Sequence, residues 1–273
     1  MGKWTLGRQY RSSYGTVCYG VFGQGPPIVL VHGTPFSSYV WRKVVPALAE
    51  ANTVYTFDLL GYGSSEKRED QDVSLAAQTK ILSQLLSYWG LESPGIVGHD
   101  FGGAITLRTH LLVGRNFNAI ALINAVALAP WGSPFYQLVQ EYTGVFRQIP
   151  AYMHRAMVAA YVRNATYRPM DEVAMEPYLE PWLGVEGQDA FYRQISQNDQ
   201  RYTDEVEPLY GKIERPVLIL WGEEDTWIPP SKGEQLHKAI PASKLRIIPR
   251  CAHLAQEDAT ETVIEHLARF FSR

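Results

Sequence analysis

Pro94-Gly95-Ile96-Val97-Gly98-His99-Asp100-Phe101-Gly102-Gly103 begins as a short apolar run and passes directly into the helical pattern of residues 103–113. An apolar run without polar alternation reads as a strand buried on both faces. A strand that becomes a helix over so few residues has to turn sharply. The glycines at 98, 102 and 103 permit this, since they tolerate close neighbours and unusual backbone angles. At the centre of the turn stands Asp100. Two readings of it are open from this segment alone: Asp100 caps the helix that follows, or it is a nucleophile held up on a strand-turn-helix elbow.

Working outward, further Val, Ile and Leu runs lie at 27–31, 52–57, 118–125, 216–221 and 245–248, and helical patterns at 37–50, 74–89, 232–239 and 260–271. Strands and helices in alternation predict an α/β fold, a mostly parallel central sheet with helices on both faces. Residues 10–22 read as an antiparallel edge hairpin. From 131 to 210 the buried-strand runs stop. The chain there is helix-like, rich in Tyr, Met and Pro, and punctuated by Pro134, Pro150, Pro169, Pro177 and Pro181. This reads as a helical cap inserted in the core, with residues 1–130 and 211–273 forming the α/β part.

Composition narrows the function classes. The 273 residues are 46% hydrophobic, with net charge -3 and sequence pI near 6.2, which leaves no basic footprint for nucleic acid. The longest apolar run is interrupted by Asn124 and too short to span a bilayer, so no membrane partner is expected. Cys18 and Cys251 stand far apart and outside any metal-binding spacing, which predicts a reduced, cytoplasmic protein without metal or cofactor. A monomer or a homodimer fits equally.

Two more strand ends carry polar groups. The run 216–221 leads into Gly222-Glu223-Glu224-Asp225, and 245–248 leads into Pro249-Arg250-Cys251-Ala252-His253. Sites of open parallel sheets lie at the carboxyl ends of strands. The order Asp100, Asp225, His253 is that of a nucleophile, an acid and a base. A fourth piece, His32-Gly33-Thr34-Pro35, follows the first buried run.

With these residues the chain resembles the α/β-hydrolase fold family, and within it the branch with an Asp nucleophile, the epoxide hydrolases and haloalkane dehalogenases. The resemblance extends through Asp58 to Ser64 (DLLGYGS) and Gln256-Glu257-Asp258 beyond His253. It implies an oxyanion hole from the backbone NH groups of Thr34 and Phe101. Asp100 would attack a saturated carbon and form an ester. His253, oriented by Asp225, would then activate water against that ester.

The leaving group divides the branch. A halide needs NH donors in a dry cradle, and haloalkane dehalogenases usually place Trp after the nucleophile and Asn in the His-Gly turn. Here Phe101 and Thr34 stand at those positions, with Trp131 and Trp182 of the cap as substitutes. An epoxide oxygen needs a proton donor, for which Tyr is suited. By the resemblance, one such donor is Tyr192, which precedes Arg193. The earlier one is Tyr142 or Tyr152, unless Phe146 occupies its position. Trp41 completes the expected substrate-binding set. The Arg that fluoroacetate-type relatives carry after the nucleophile is replaced by Phe101, so the expected partners are water and a small apolar or weakly polar organic substrate. Epoxide hydrolysis is the first expectation, haloalkane dehalogenation the second. A non-catalytic binder of small ligands is the third.

Overall fold

The structure, a computed structural model, describes residues 4–272. Eight strands form one sheet: β1 (Arg8–Arg11), β2 (Thr16–Phe22), β3 (Pro27–Val31), β4 (Thr53–Phe57), β5 (Gly95–His99), β6 (Ala119–Ile123), β7 (Val217–Gly222) and β8 (Ser243–Ile248). Their order across the sheet is β1-β2-β4-β3-β5-β6-β7-β8. From β4 through β8 the neighbours are parallel, whereas β2 runs antiparallel to both β1 and β4. This is the α/β-hydrolase architecture, with the expected hairpin at the edge.

The apolar runs lack alternation because both faces of the central strands are covered. Every residue of β5 and β7 is buried, as are the last four of β3. Helix Leu75–Tyr88 starts at Ser74, whose hydroxyl accepts the Ala77 NH, and packs against helix Phe101–Leu111. The single helix expected over 37–50 is two short turns instead, Ser38–Trp41 and Val45–Leu48. Pro46 explains the break: it has no NH to donate and its ring crowds the preceding turn.

β3 and β5 are adjacent, and the chain leaves β3 toward β4 on one side but leaves β5 toward β6 on the other. That reversal opens the crevice where sheets of this kind hold ligands. Residues 32–34 and Asp100 emerge on its two sides. Every regular element between Ile123 and Val217 is helical, including Pro134–Glu141, Ala151–Arg163, Glu172–Leu179 and Gly184–Ser196. Among the described residues no helix is long and apolar enough to cross a membrane.

Candidate active site

Asp100 has φ +53° and ψ −120°, a conformation that L-residues adopt only under constraint. The constraint comes from the sheet: its NH donates to Ile123 O (3.2 Å), and its carbonyl accepts from Gly103 (2.9 Å) and Val126 (3.0 Å). A side chain at Gly102 would overlap the Val31 carbonyl, and one at Gly98 the Gly102 carbonyl. The turn is too tight for either. The Asp100 carboxylate does not cap the helix behind it. Its Oδ1 accepts instead from the Thr34 NH at 2.6 Å. Phe101 opens the helix, so its NH is one of those that helix geometry leaves without an internal partner.

Asp225 follows β7 and is 3% exposed, with all of its acceptor capacity in use. Oδ1 accepts from the NH groups of Trp227 (2.8 Å) and Ile228 (2.9 Å). Oδ2 accepts from Asn124 Nδ2 (2.7 Å) and His253 Nδ1 (2.9 Å). A carboxylate this well held fixes the imidazole proton on Nδ1 and its orientation. The other ring nitrogen, Nε2, faces Asp100 Oδ2 at 3.4 Å. His99 supports the same loop by donating from Nε2 to the His253 carbonyl (3.0 Å), and burial keeps that imidazole neutral. Burial pushes His253 down as well, but the charge of Asp225 and then the contact with Asp100 outweigh it and raise its pKa to about 10. The resting site therefore holds an imidazolium between two carboxylates.

Above Asp100 is a small cavity of about 20 Å³ whose walls include Thr34, Phe101, Trp131, Tyr136 and Tyr161. Trp227 stacks on Tyr161 (centroids 4.2 Å apart, planes at 11°) and leans on His253 at 4.8 Å. Ser133 Oγ accepts the Tyr136 NH as a helix cap, and its hydroxyl lies 3.5 Å from Tyr161 as donor. This leaves the Tyr161 hydroxyl hydrogen free to point into the cavity. Burial raises the hydroxyl pKa of Tyr136 and Tyr161, so both stay protonated; Tyr136 donates to the Ile195 carbonyl at 3.4 Å, which leaves Tyr161 as the free donor.

Asp100, Asp225, His253, Thr34 and Phe101 are thus brought together, whereas the four expected substrate contacts are not. Tyr142 is 48% exposed and Tyr152 74% exposed, on surfaces that face solvent. Tyr192 is fully buried but spends its hydroxyl on His154 Nδ1 (2.9 Å). Phe146 packs on that same ring. Trp41 is buried against His99, behind the site. The indoles of the segment between β6 and β7 are committed too: Trp131 donates to Thr203 Oγ1 (2.9 Å) and Trp182 to the Pro35 carbonyl (2.7 Å). Gln256-Glu257-Asp258 does not cap the last helix. Asp258 accepts from the NH groups of Ala252, Tyr167 and Arg168, and Glu257 pairs with Lys43.

Asn124, Tyr136, Tyr161, Tyr62 and Gln194 went unassigned in the sequence. Asn124 interrupts an apolar strand at its carboxyl end, which was a usable signal. Tyr62 and Thr34 Oγ1 both donate to Gln194 Oε1 at 2.8 Å, tying helix Gly184–Ser196 to the turn after β3. No spacing rule announces that contact.

Residues 26–260 match the alpha/beta hydrolase fold family, and the chain belongs to that family. It is similar to the crystal structure of an alpha/beta hydrolase fold protein from Burkholderia ambifaria, with 43% identity, TM-score 0.94 and 97% of each chain covered. The cis-3-alkyl-4-alkyloxetan-2-one decarboxylase of Shewanella oneidensis is 25% identical over 281 residues, 92% of this chain and 83% of that protein. The structure of epoxide hydrolase CorEH, at 22% identity with TM-score 0.77 and 97% and 98% of the two chains covered, is alike in fold alone. Differently named activities occur on this fold, so the reaction has to be argued from the site.

Proposed function

We propose that this hydrolase opens epoxides to vicinal diols through a covalent ester on Asp100. The observation that carries the reading is that Asp100 and Tyr161 line one small cavity with the Tyr161 hydroxyl hydrogen uncommitted, while the nearby indole NH groups and the Tyr136 hydroxyl are bonded elsewhere. Such a cavity offers a nucleophile and a hydroxyl donor, and it has no indole cradle for a halide. The helical segment between β6 and β7 acts here as a cap, since it supplies both tyrosines.

Asp100 attacks an epoxide carbon from its carboxylate, the C–O bond breaks, and the oxygen takes the proton of Tyr161. A carboxylate needs no activation for this step, since its ordinary pKa lies near 3.9. Esterification removes one of the two negative charges beside His253, so the imidazolium gives up its proton, which restores Tyr161. The neutral imidazole then takes a proton from water as it attacks the Asp100 carbonyl carbon. The NH groups of Thr34 and Phe101 hold the oxyanion. Collapse releases the diol, the new carboxyl proton passing to the departing oxygen, and leaves His253 protonated again. The sequence consumes one water and returns every group to its starting state.

Aromatic walls and the lack of a cation in the cavity favour a small apolar substrate. The test is product analysis on styrene oxide and 1-bromobutane side by side. Diol without halide release supports the reading. Halide release from the bromoalkane at the higher kcat/KM overturns it in favour of dehalogenation, and binding without either product overturns enzymatic function at this site.

A further inference from the structure

A second, larger concavity of about 370 Å³ lies far from Asp100, at the amino ends of β6, β7 and β8. Its floor is apolar, formed by Val217, Leu218, Phe270 and neighbouring residues. Its rim carries Lys244, Arg246 and Arg269, and no acidic residue is among the residues that line it.

This grouping has a local origin. Lys244 and Arg246 are two apart on β8, so they share one face of the strand at the sheet edge. His266, Arg269 and Phe270 are three and four apart on helix Thr260–Phe271, so they share one stripe of that helix. The groove is where the strand face and the helix stripe meet. All three cations are exposed.

Among the described residues some cations are ion-paired and others are not. Arg42, Lys43, Arg68, Arg108, Arg155 and Arg163 are each ion-paired. Lys244, Arg246 and Arg269 form no ion pair among the described residues. In a chain of net charge -3, three unpaired cations bordering one apolar groove make a local field of the opposite sign. Apolar floor and cationic rim together match one chemistry: an apolar body ending in a single carboxylate.

We propose that this groove is a binding site for small amphiphilic carboxylates, separate from the catalytic cavity. The carboxylate pairs with Arg269 and Lys244, and the apolar body lies on Phe270, Val217 and Leu218. The site does not depend on the reaction assigned to Asp100.

Phenylbutyrate and phenylbutanol, which differ in the charged end, are the probes. The full chain is titrated with each, while backbone amide shifts and calorimetry are followed. Saturable phenylbutyrate binding is expected, with shifts at 217–218, 244–246 and 266–271. Binding weakens at least tenfold in the Lys244→Gln/Arg269→Gln double variant and for the alcohol, and it falls as salt rises. The double variant, altered only at exposed positions, keeps its melting temperature and its turnover. Equal affinity for the alcohol, unchanged affinity in the variant, or shifts confined to the residues around Asp100 and Tyr161 would overturn the proposal.

Discussion

His253 sits between Asp225 at 2.9 Å and Asp100 at 3.4 Å, and its charge follows theirs. Its folded pKa of about 10 lies above the unfolded value near 6.5. The stability gained from this pairing is therefore complete below pH 6.5 and is lost as pH rises through 10. Imidazole NMR should show His253 titrating near pH 10 in the wild type and markedly lower in Asp100→Asn, where one carboxylate is gone. At the same scale, Tyr161→Phe should slow ester formation by about 10²–10⁴-fold, the usual worth of a positioned proton donor. Tyr142→Phe and Tyr152→Phe should leave it unchanged, and rapid-quench measurement of the alkyl-enzyme distinguishes the outcomes. The triad residues were legible because each stands within a few residues of a strand's carboxyl end. The tyrosines were not, since which face of a cap helix looks down depends on how the helices pack, and nine tyrosines between Trp131 and Tyr210 offered the same chemistry.

At the scale of elements, the short helix Ala255–Asp258 joins more of the site than its four residues would indicate. Asp258 accepts the NH of Ala252, one residue before His253, and those of Tyr167 and Arg168 from the segment between β6 and β7. Leu254 adds its own NH to the Ala165 carbonyl at 2.8 Å. Asp258→Ala removes the acceptor for three backbone donors, which costs about 1–3 kcal/mol where they become unsatisfied. Urea unfolding should register that loss. Turnover should fall more than stability alone explains, because the His253 loop is released. The sequence order of strands and helices was readable from periodicity, and the observed ends lie within about two residues of the expected ones for most strands. Segment 37–50 departs from the single expected helix because Pro46 stands in the first turn of Val45–Leu48, where it starts a new helix and cannot continue the previous one.

Across the whole molecule, the segment above the crevice shares one apolar cluster with the α/β part and is also tied to it by polar contacts. Glu257 meets Arg42 and Lys43 of the core, and Tyr178 of a cap helix donates to it at 2.5 Å. Burial pushes the Glu257 carboxyl up, but its bonds to Arg42 and the charges around it prevail and hold it below its ordinary value near 4.5. A depressed carboxylate contributes stability above that value and loses it as pH falls through the folded pKa. The melting-temperature difference between wild type and Glu257→Gln should accordingly shrink as pH is lowered from 7 to about 3, as calorimetry can record. All of these contacts serve one chemical claim, that Asp100 becomes an ester which His253 helps to hydrolyse. Intact and peptide mass spectrometry of His253→Gln after exposure to styrene oxide tests it directly. One added substrate mass is expected, mapped to Asp100 and absent in Asp100→Asn/His253→Gln. Unmodified Asp100 in protein that has bound the epoxide, or an adduct on another residue, would contradict it.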